Sequence, residues 1–310
     1  TLLVEHLDVS NEIFEPIIAS PKYYHYRNRL DLKLKRTRDY GILIGFTPIE
    51  ARKSVLPIDT CFIADKHIDA FIPQVKKEAL AKLPEKYRMA NLTIRTGDDG
   101  RTYWGGIGRR STQLEEKDYL WTQIRGRKIF YSLDTFFQAN LSILPELFNR
   151  LIAFDFWGPN TILYDLYGGV GLFSIGLIDN IQEAILIEEN ISSIKLAEYN
   201  KQFHKLDNLK ILSGKVEDEF PKLLKKNKKS SQVVMIDPPR AGLSENAIDL
   251  ILSAENINYI LYLSCHPESL ARDLKIFIDN NWKVQTIIPL DFFPRTKHIE
   301  TLVLLQEESS

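Results

Sequence analysis

Four short stretches of this 310-residue chain hold residue types suited to covalent chemistry or to binding a charged ligand. LSCHPESLARDL, residues 263–274, contains Cys265, one of only two cysteines. A helix starting at Pro267 would put its positive end beside the thiol, lowering its pKa and favouring a nucleophilic thiolate. A cysteine there can also be a packed apolar residue. KHIET, residues 297–301, offers Glu300 as a general base, or as a solvated carboxylate on an edge strand. In DPPR, residues 237–240, successive prolines fix φ and remove two donors, so Asp237 sits on a stiff loop. In DLYGGVG, residues 165–171, Gly169 and Gly171 allow the backbone to approach a ligand closely. Glu188, at the end of the next apolar run, can accept both hydroxyls of a ribose, so the pair indicates an adenosine-containing cofactor. Ser174 stands where a dinucleotide fingerprint needs a third glycine, which weakens a hydride-transfer reading.

These residues need elements that bring them to one place. After about residue 130, apolar runs at Ile162–Tyr167, Glu183–Glu188, Leu209–Leu212, Gln232–Asp237 and Ile257–Ser264 alternate with helical patterns such as Ile191–His204 and Pro267–Asn280. Strand alternating with helix predicts a parallel, doubly wound sheet, and ligands bind outside the carboxyl ends of its strands. Lys283–Ile288 and Ile299–Gln306 predict a closing antiparallel pair. Nearly every residue singled out above falls at a strand end. Before residue 130 the pattern is different. Arg29–Lys35 alternates with period two and pairs across a polar turn with Gly41–Phe46, a second hairpin spans Leu92–Ile107, and Asp65–Leu83 has helical spacing. The chain divides on this reading into residues 1–130, a small α+β domain of hairpins, and residues 131–310. Lys222–Ser231 is predicted to be a basic surface loop.

In this order the stretches resemble those of the RNA 5-methyluridine methyltransferases. DLYGGVG is similar to that family's cofactor turn, DPPRAGL to its fourth-strand loop, LSCHPESLARDL to its nucleophile loop and FPRTKHIETLVLL to its terminal base motif. FFQAN at 136–140 and YRNR at 26–29 match as well. The resemblance implies a Rossmann-like class I methyltransferase domain with a doubly wound, seven-stranded mixed sheet. It implies S-adenosylmethionine as cofactor, held by Gln138, Tyr167, Glu188 and Asp237 with the Gly169–Gly171 turn. It makes Cys265 the nucleophile and Glu300 the base. Carbon 5 of uracil is a poor nucleophile until a thiolate adds at carbon 6, and a base must then remove the carbon 5 proton so that the cysteine can leave. The ARDL ending is more like the enzymes acting on 23S ribosomal RNA than those acting on uridine-54 of transfer RNA. A non-catalytic RNA-binding relative, or direct methylation of an exocyclic amine, are the alternatives. The chain departs from the family at Gly168, where Cys is frequent, at Leu172, where a small polar residue is, and at His266, where Asn is usual. His266 would support the thiolate or replace a hydrogen bond to substrate.

A formal charge of −1 gives no global attraction to nucleic acid, so an RNA site needs a local cluster. Residues 22–38 supply seven cations, Arg27, Arg29, Lys33, Lys35 and Arg36 among them, against the single acid Asp31, with Tyr23, Tyr24 and Tyr26 to stack on bases. The bland alternative is a solvated face. Two cysteines exclude a disulfide framework, and Cys61 alone cannot hold a cluster, so no metal is expected. With no apolar run long enough to span a bilayer and no leader, the chain is expected to be cytoplasmic and monomeric, with RNA as its one macromolecular partner.

Overall fold

The computed structural model describes residues 7, 10–48, 50–51, 54–108, 111–223, 231–254 and 256–308. Most of the predicted basic loop at Lys222–Ser231 lies outside the described residues. Two compact units form. One comprises Thr1–Pro21, Ile124–Ile129 and Ile143–Ser310, the other Lys22–Gln123 and Phe130–Ser142. The expected single cut after residue 130 therefore differs from the observed division at both ends. The N-terminal segment joins the larger unit because Glu15 and Ile18 donate backbone N–H groups to the carbonyls of Ile287 and Pro289, at 2.9 Å each. Residues 130–142 join the smaller unit because a buried arginine there holds their carbonyls. Arg95 donates to those of Ser132 and Thr135 at 2.8 Å and of Phe137 at 3.0 Å.

The smaller unit is a five-stranded antiparallel sheet, ordered β3-β2-β1-β4-β5, with β1 at Arg29–Arg36, β2 at Ile42–Phe46, β3 at Leu56–Pro57, β4 at Met89–Thr96 and β5 at Thr102–Gly105. The predicted period of two holds. Leu30, Leu32 and Leu34 point to one face and are buried against Ile68, Ile72 and Val75 of helix α1, Lys66–Lys82. Burying each such side chain contributes about 1.5–3 kcal/mol. Asp65 caps α1 by accepting from the His67 N–H at 2.9 Å. A two-stranded hairpin, β6 at Leu120–Ile124 and β7 at Arg127–Tyr131, follows in the chain.

The larger unit is built on a seven-stranded mixed sheet ordered β10-β9-β8-β11-β12-β14-β13. Its strands are β8 (Gly158–Leu166), β9 (Ile181–Glu188), β10 (Leu209–Ser213), β11 (Ser231–Ile236), β12 (Ile257–Ser264), β13 (Trp282–Leu290) and β14 (Glu300–Glu307). The first five run parallel, and β14 is inserted antiparallel between β12 and β13. Among the described residues five helices accompany them: α2 (Leu144–Ile152), α3 (Leu172–Leu177), α4 (Ile191–His204), α6 (Glu245–Leu252) and α7 (Pro267–Asp279), with one further turn, α5, at Val216–Glu219. The doubly wound class I arrangement is thus the fold of this unit. The near-continuous apolar runs of β8, β11 and β12 follow from burial on both faces.

Helices α2 and α3 pack without spare room. A Cβ on Gly176 would lie 2.2 Å from a ring carbon of Phe148, a fully buried side chain. Gly176→Ala is therefore expected to cost about 1–3 kcal/mol by overpacking, although a helix interior otherwise prefers alanine. Urea unfolding measures this, and Phe148→Leu in the same chain should recover part of the loss. An alanine variant as stable as the parent would show that this contact is not tight.

Candidate active site

Strand register brings the chemistry to one edge of the sheet. Leu166 pairs with Ile236, Ile236 with Tyr262, Leu166 with Ile187, and Ser264 with Thr301. The carboxyl ends of β8, β9, β11 and β12 are therefore level, and β14 begins where they stop. Tyr167, Glu188, Asp237, Cys265 and Glu300 are each at or one residue beyond these ends, within one unit.

The glycine turn after β8 uses left-handed backbone at Tyr167 (φ 62°), Gly169 (φ 57°) and Gly171 (φ 93°). For tyrosine this conformation is costly, and such strain concentrates at functional sites. A Cβ on Gly169 would meet nothing within 4 Å, so the turn leaves open space there. Its N–H donates to Glu188 Oε2 at 2.9 Å, while Glu188 Oε1 accepts from the Asn190 N–H at 2.7 Å. Glu188 thus ties the turn to the start of α4, and a carboxylate with one donor on each oxygen retains lone pairs for hydroxyls. Gly168, a departure from the family pattern, is required by this chain's own packing: a Cβ there would lie 2.5 Å from Leu186 Cγ.

Beneath the turn lies Asp165, to which the sequence reading gave no role although it opens DLYGGVG. It is buried, accepts from Ser174 N–H at 2.9 Å and from Ser174 Oγ at 2.6 Å, and has no partner for Oδ1 among the described residues. Burial, with the nearby Glu188 charge, pushes it up to about 6 despite the serine hydrogen bonds. Ser174, which spoils a dinucleotide fingerprint, therefore has its own use. An open glycine turn, an orphaned buried acceptor and a strand-end carboxylate suit a polar, cationic, ribose-bearing ligand. Tyr167 is held as a neutral hydroxyl by burial and by the acids Glu217, Glu189 and Asp273.

Cys265 is half-buried at the end of β12. Its thiol is pushed up, not down, which corrects the helix-dipole expectation. Burial and the Glu300 carboxylate raise it, Arg240 opposes them, and Asp237 raises it further. Burial and the two acids disfavour the thiolate that a helix N-terminus favours. Arg240, quoted above only as the end of DPPR, is the one cation among them. His266 acts locally. Its Nδ1 accepts from the Ser269 N–H at 3.4 Å and its backbone N–H donates to Ser264 Oγ at 3.2 Å, so it caps α7 as the usual Asn would.

Glu300 is only 5 % exposed, on a strand with neighbours on both sides, which rules out a solvated edge carboxylate. Its Oε2 has no partner among the described residues. Burial, and secondarily the Asp237 charge, hold it well above the usual carboxylate range.

Gln138 and the basic residues belong to the other unit. Gln138 is buried there, between Phe137, whose carbonyl Arg95 holds, and Ala139, whose carbonyl accepts from the Asn28 N–H at 2.8 Å. Arg29, partly exposed, pairs with Asp31 at 3.0 Å and donates to the Leu133 carbonyl at 3.3 Å. Arg27 donates from Nε to the Arg29 carbonyl at 2.8 Å. Lys33 and Lys35 lie on the face of β1 opposite the buried leucines, and Arg36 ends that strand. Tyr23 and Tyr24 are exposed, whereas Tyr26 is 3 % exposed and belongs to the core, against the stacking expectation. Phe136, 65 % exposed, is an aromatic that residue patterning did not single out. Among the described residues no helix is long and apolar enough to cross a membrane.

Residues 107–308, the strand-end residues described above included, match the family model of the tRNA (uracil-5-)-methyltransferases. The chain belongs to this family. It is accordingly a methyltransferase that uses S-adenosylmethionine. An uncharacterized RNA methyltransferase of Caldanaerobacter subterraneus is 26% identical over 98% of this chain and 78% of its own length. One of Aquifex aeolicus is 26% identical over 98% and 77%. The tRNA (uracil-54, C5)-methyltransferase of Pyrococcus abyssi, solved with S-adenosyl-L-homocysteine, shares the fold at a TM-score of 0.72, with 21% identity over 98% of this chain and 80% of that one.

Two outcomes follow for this family member. Glu188→Ala is expected to weaken S-adenosylmethionine binding in calorimetry, each lost ribose hydrogen bond costing about 0.5–1.5 kcal/mol; unchanged binding would remove Glu188 from the site. For Glu300, the raised folded pKa means that the folded protein keeps a proton the unfolded chain releases near about pH 4.3. The stabilisation from this group is complete below that pH and is lost as pH rises through the folded value. Glu300→Gln, which cannot ionise, should therefore melt higher than the parent at neutral pH, with the gap closing towards about pH 4. A gap independent of pH would contradict a raised carboxyl.

Proposed function

We propose that the chain transfers a methyl group from S-adenosylmethionine to carbon 5 of a uridine in RNA, through a covalent bond between Cys265 and carbon 6. The observation that carries this reading is that strand register brings Asp237, Cys265 and Glu300 to one edge of the sheet, where Glu300 is buried with its Oε2 unpartnered among the described residues. Direct methylation of an exocyclic amine leaves Cys265 and Glu300 without a task, and a non-catalytic relative does not explain a buried carboxyl with an orphaned oxygen. S-adenosylmethionine, when bound, supplies an electrophilic methyl on a sulfonium. Tyr167, Glu188, Asp237 and the Gly169–Gly171 turn would hold it.

The protein's part runs as follows. Arg240 favours the Cys265 thiolate, which adds to carbon 6 and converts the ring to an enolate whose carbon 5 takes the methyl. Glu300, ionised at this point, accepts the carbon 5 proton. Elimination then breaks the sulfur–carbon 6 bond, releasing 5-methyluridine and the thiolate. A base with a raised pKa is suited to this step, because its proton affinity is closer to that of the operating pH. The target uridine must leave its stack to reach such a site. Lys33, Lys35 and Arg36 with Tyr23 and Tyr24 form the RNA-contacting surface on this reading, with Arg27 beside them and Arg29 bracing the strand.

Uridine in 23S ribosomal RNA is the substrate favoured by the Arg272-Asp273-Leu274 ending. Uridine-54 of transfer RNA is the second reading, favoured by the likeness to the Pyrococcus abyssi enzyme. Mapping 5-methyluridine in RNA from a strain lacking the protein decides between them. The chemistry is tested with Glu300→Gln. Addition and methyl transfer should survive while proton removal stalls, so a denaturation-resistant adduct carrying labelled methyl should accumulate on ordinary RNA. Turnover should fall by about 10²- to 10⁴-fold. Cys265→Ala should form no adduct, even with 5-fluorouridine RNA, and still bind cofactor. A fully active Glu300→Gln enzyme would sink the assignment.

A further inference from the structure

Behind the site, helix α7 carries an ion pair that the chemistry above does not use. Asp273 is wholly buried. Its Oδ2 accepts from the Tyr262 hydroxyl at 2.6 Å and from the Leu243 N–H at 2.8 Å. Its Oδ1 accepts from Arg272 Nε at 2.8 Å and Nη2 at 2.5 Å. The same Nη2 donates to the carbonyls of Ala241 and Leu243, at 3.0 Å each. Between those two residues Gly242 takes φ 78°, and a Cβ on it would lie 2.5 Å from Asp273 Oδ2 and 2.6 Å from Arg272 Nη2. Residues 241–243 are therefore seated directly on the pair, and only glycine fits at the centre.

The two ends of this clamp are informative. Tyr262 lies three residues before Cys265 on β12, and α7 begins two residues after it. On the other side, the clamped backbone starts immediately after Arg240. We propose that Arg272 and Asp273 are positioning residues, which hold Arg240 beside the Cys265 thiol through the backbone of residues 241–243. Arg240 is itself exposed, so nothing in its own side chain's packing fixes it, and the backbone that carries it must be rigid for its charge to act at a set distance. The ionisable groups facing the thiol are Glu300 and Asp237, which disfavour thiolate, and Arg240, which favours it. Losing Arg240 from its place leaves the thiol with two acids.

The importance of the clamp for turnover rests on Cys265 being the nucleophile, but the placement itself is measurable without RNA or cofactor. In the full chain carrying Cys61→Ser, the rate of Cys265 alkylation by iodoacetamide is followed against pH by mass spectrometry. Arg240→Ala should slow alkylation near neutral pH by about threefold, the effect of one charge acting over about 6 Å of water. Arg272→Ala and Asp273→Asn should slow it in the same direction and by no more, and neither should slow it further in an Arg240→Ala background. Asp273→Asn is the sharper of the two, because removing a negative charge would by its field alone speed alkylation. Arg272→Ala, at a half-exposed side chain, decides the matter if the buried substitution does not fold, as melting curves will show. Unchanged or faster alkylation in the folded variants, or a loss that adds to that of Arg240→Ala, overturns the proposal. Adduct formation between the parent protein and 5-fluorouridine RNA is scored separately. Its absence beside an intact clamp effect would remove the nucleophile and leave the positioning.

Discussion

The level ends of four parallel strands are the constraint on which the rest of the site depends. Parallel ladders fix register by evenly spaced hydrogen bonds, so Leu166, Ile187, Ile236 and Tyr262 cannot shift relative to one another without breaking the sheet. Every residue that follows them is carried to the same edge as a consequence. The insertion of β14 antiparallel between β12 and β13 adds what parallel strands alone cannot: a strand that starts, and does not end, at that edge. Glu300 is its first residue. A carboxyl is thereby delivered opposite Cys265 from a distant part of the chain, at a position where burial is enforced on both sides.

That enforcement sets the electrostatics. Asp165, Glu300 and the Cys265 thiol are all raised by burial first and by neighbouring acids second, so the site holds its acids in the protonated direction at rest. Burying several acids with one cation is poor design for stability, since each ionisation opposes the others. It is useful for a site whose ligand carries positive charge and whose chemistry consumes a proton acceptor. The clamp of Arg272 and Asp273 differs in kind. There both oxygens of the carboxylate accept two hydrogen bonds each, which makes the pair rigid and leaves nothing over for a ligand.

How much of this was legible in the residues depended on whether the signal was local. The strands and helices were, because period two and period 3.6 are written into consecutive residues: Leu30, Leu32 and Leu34 read as one face and form one. The strand-end residues were, because the doubly wound rule places ligands there. Residues whose role depends on a distant partner were not. Arg29 reads as an unengaged surface cation, yet Asp31 and the carbonyl of Leu133 occupy its guanidinium. Tyr26 reads as a stacking aromatic but is core. The N-terminal segment joins the larger unit through main-chain pairing with β13, which no side-chain pattern records. The Cys265 thiol was misread in direction for the same reason: the helix after it is visible in sequence, but the carboxyl opposite is thirty-five residues away.

Substitutions relative to the family pattern carry a further lesson in locality. Gly168 and His266 depart from that pattern, one where Cys is frequent and one where Asn is usual. The structure accounts for each by what surrounds it. Leu186 occupies the space that a side chain at 168 would need, so glycine and leucine make one packing unit and changing either alone is unfavourable. His266 offers Nδ1 to the Ser269 N–H, the same service an Asn carboxamide oxygen gives at an N-cap. The exchange keeps the start of α7, the helix that carries the Arg240 clamp, capped by the residue immediately before it.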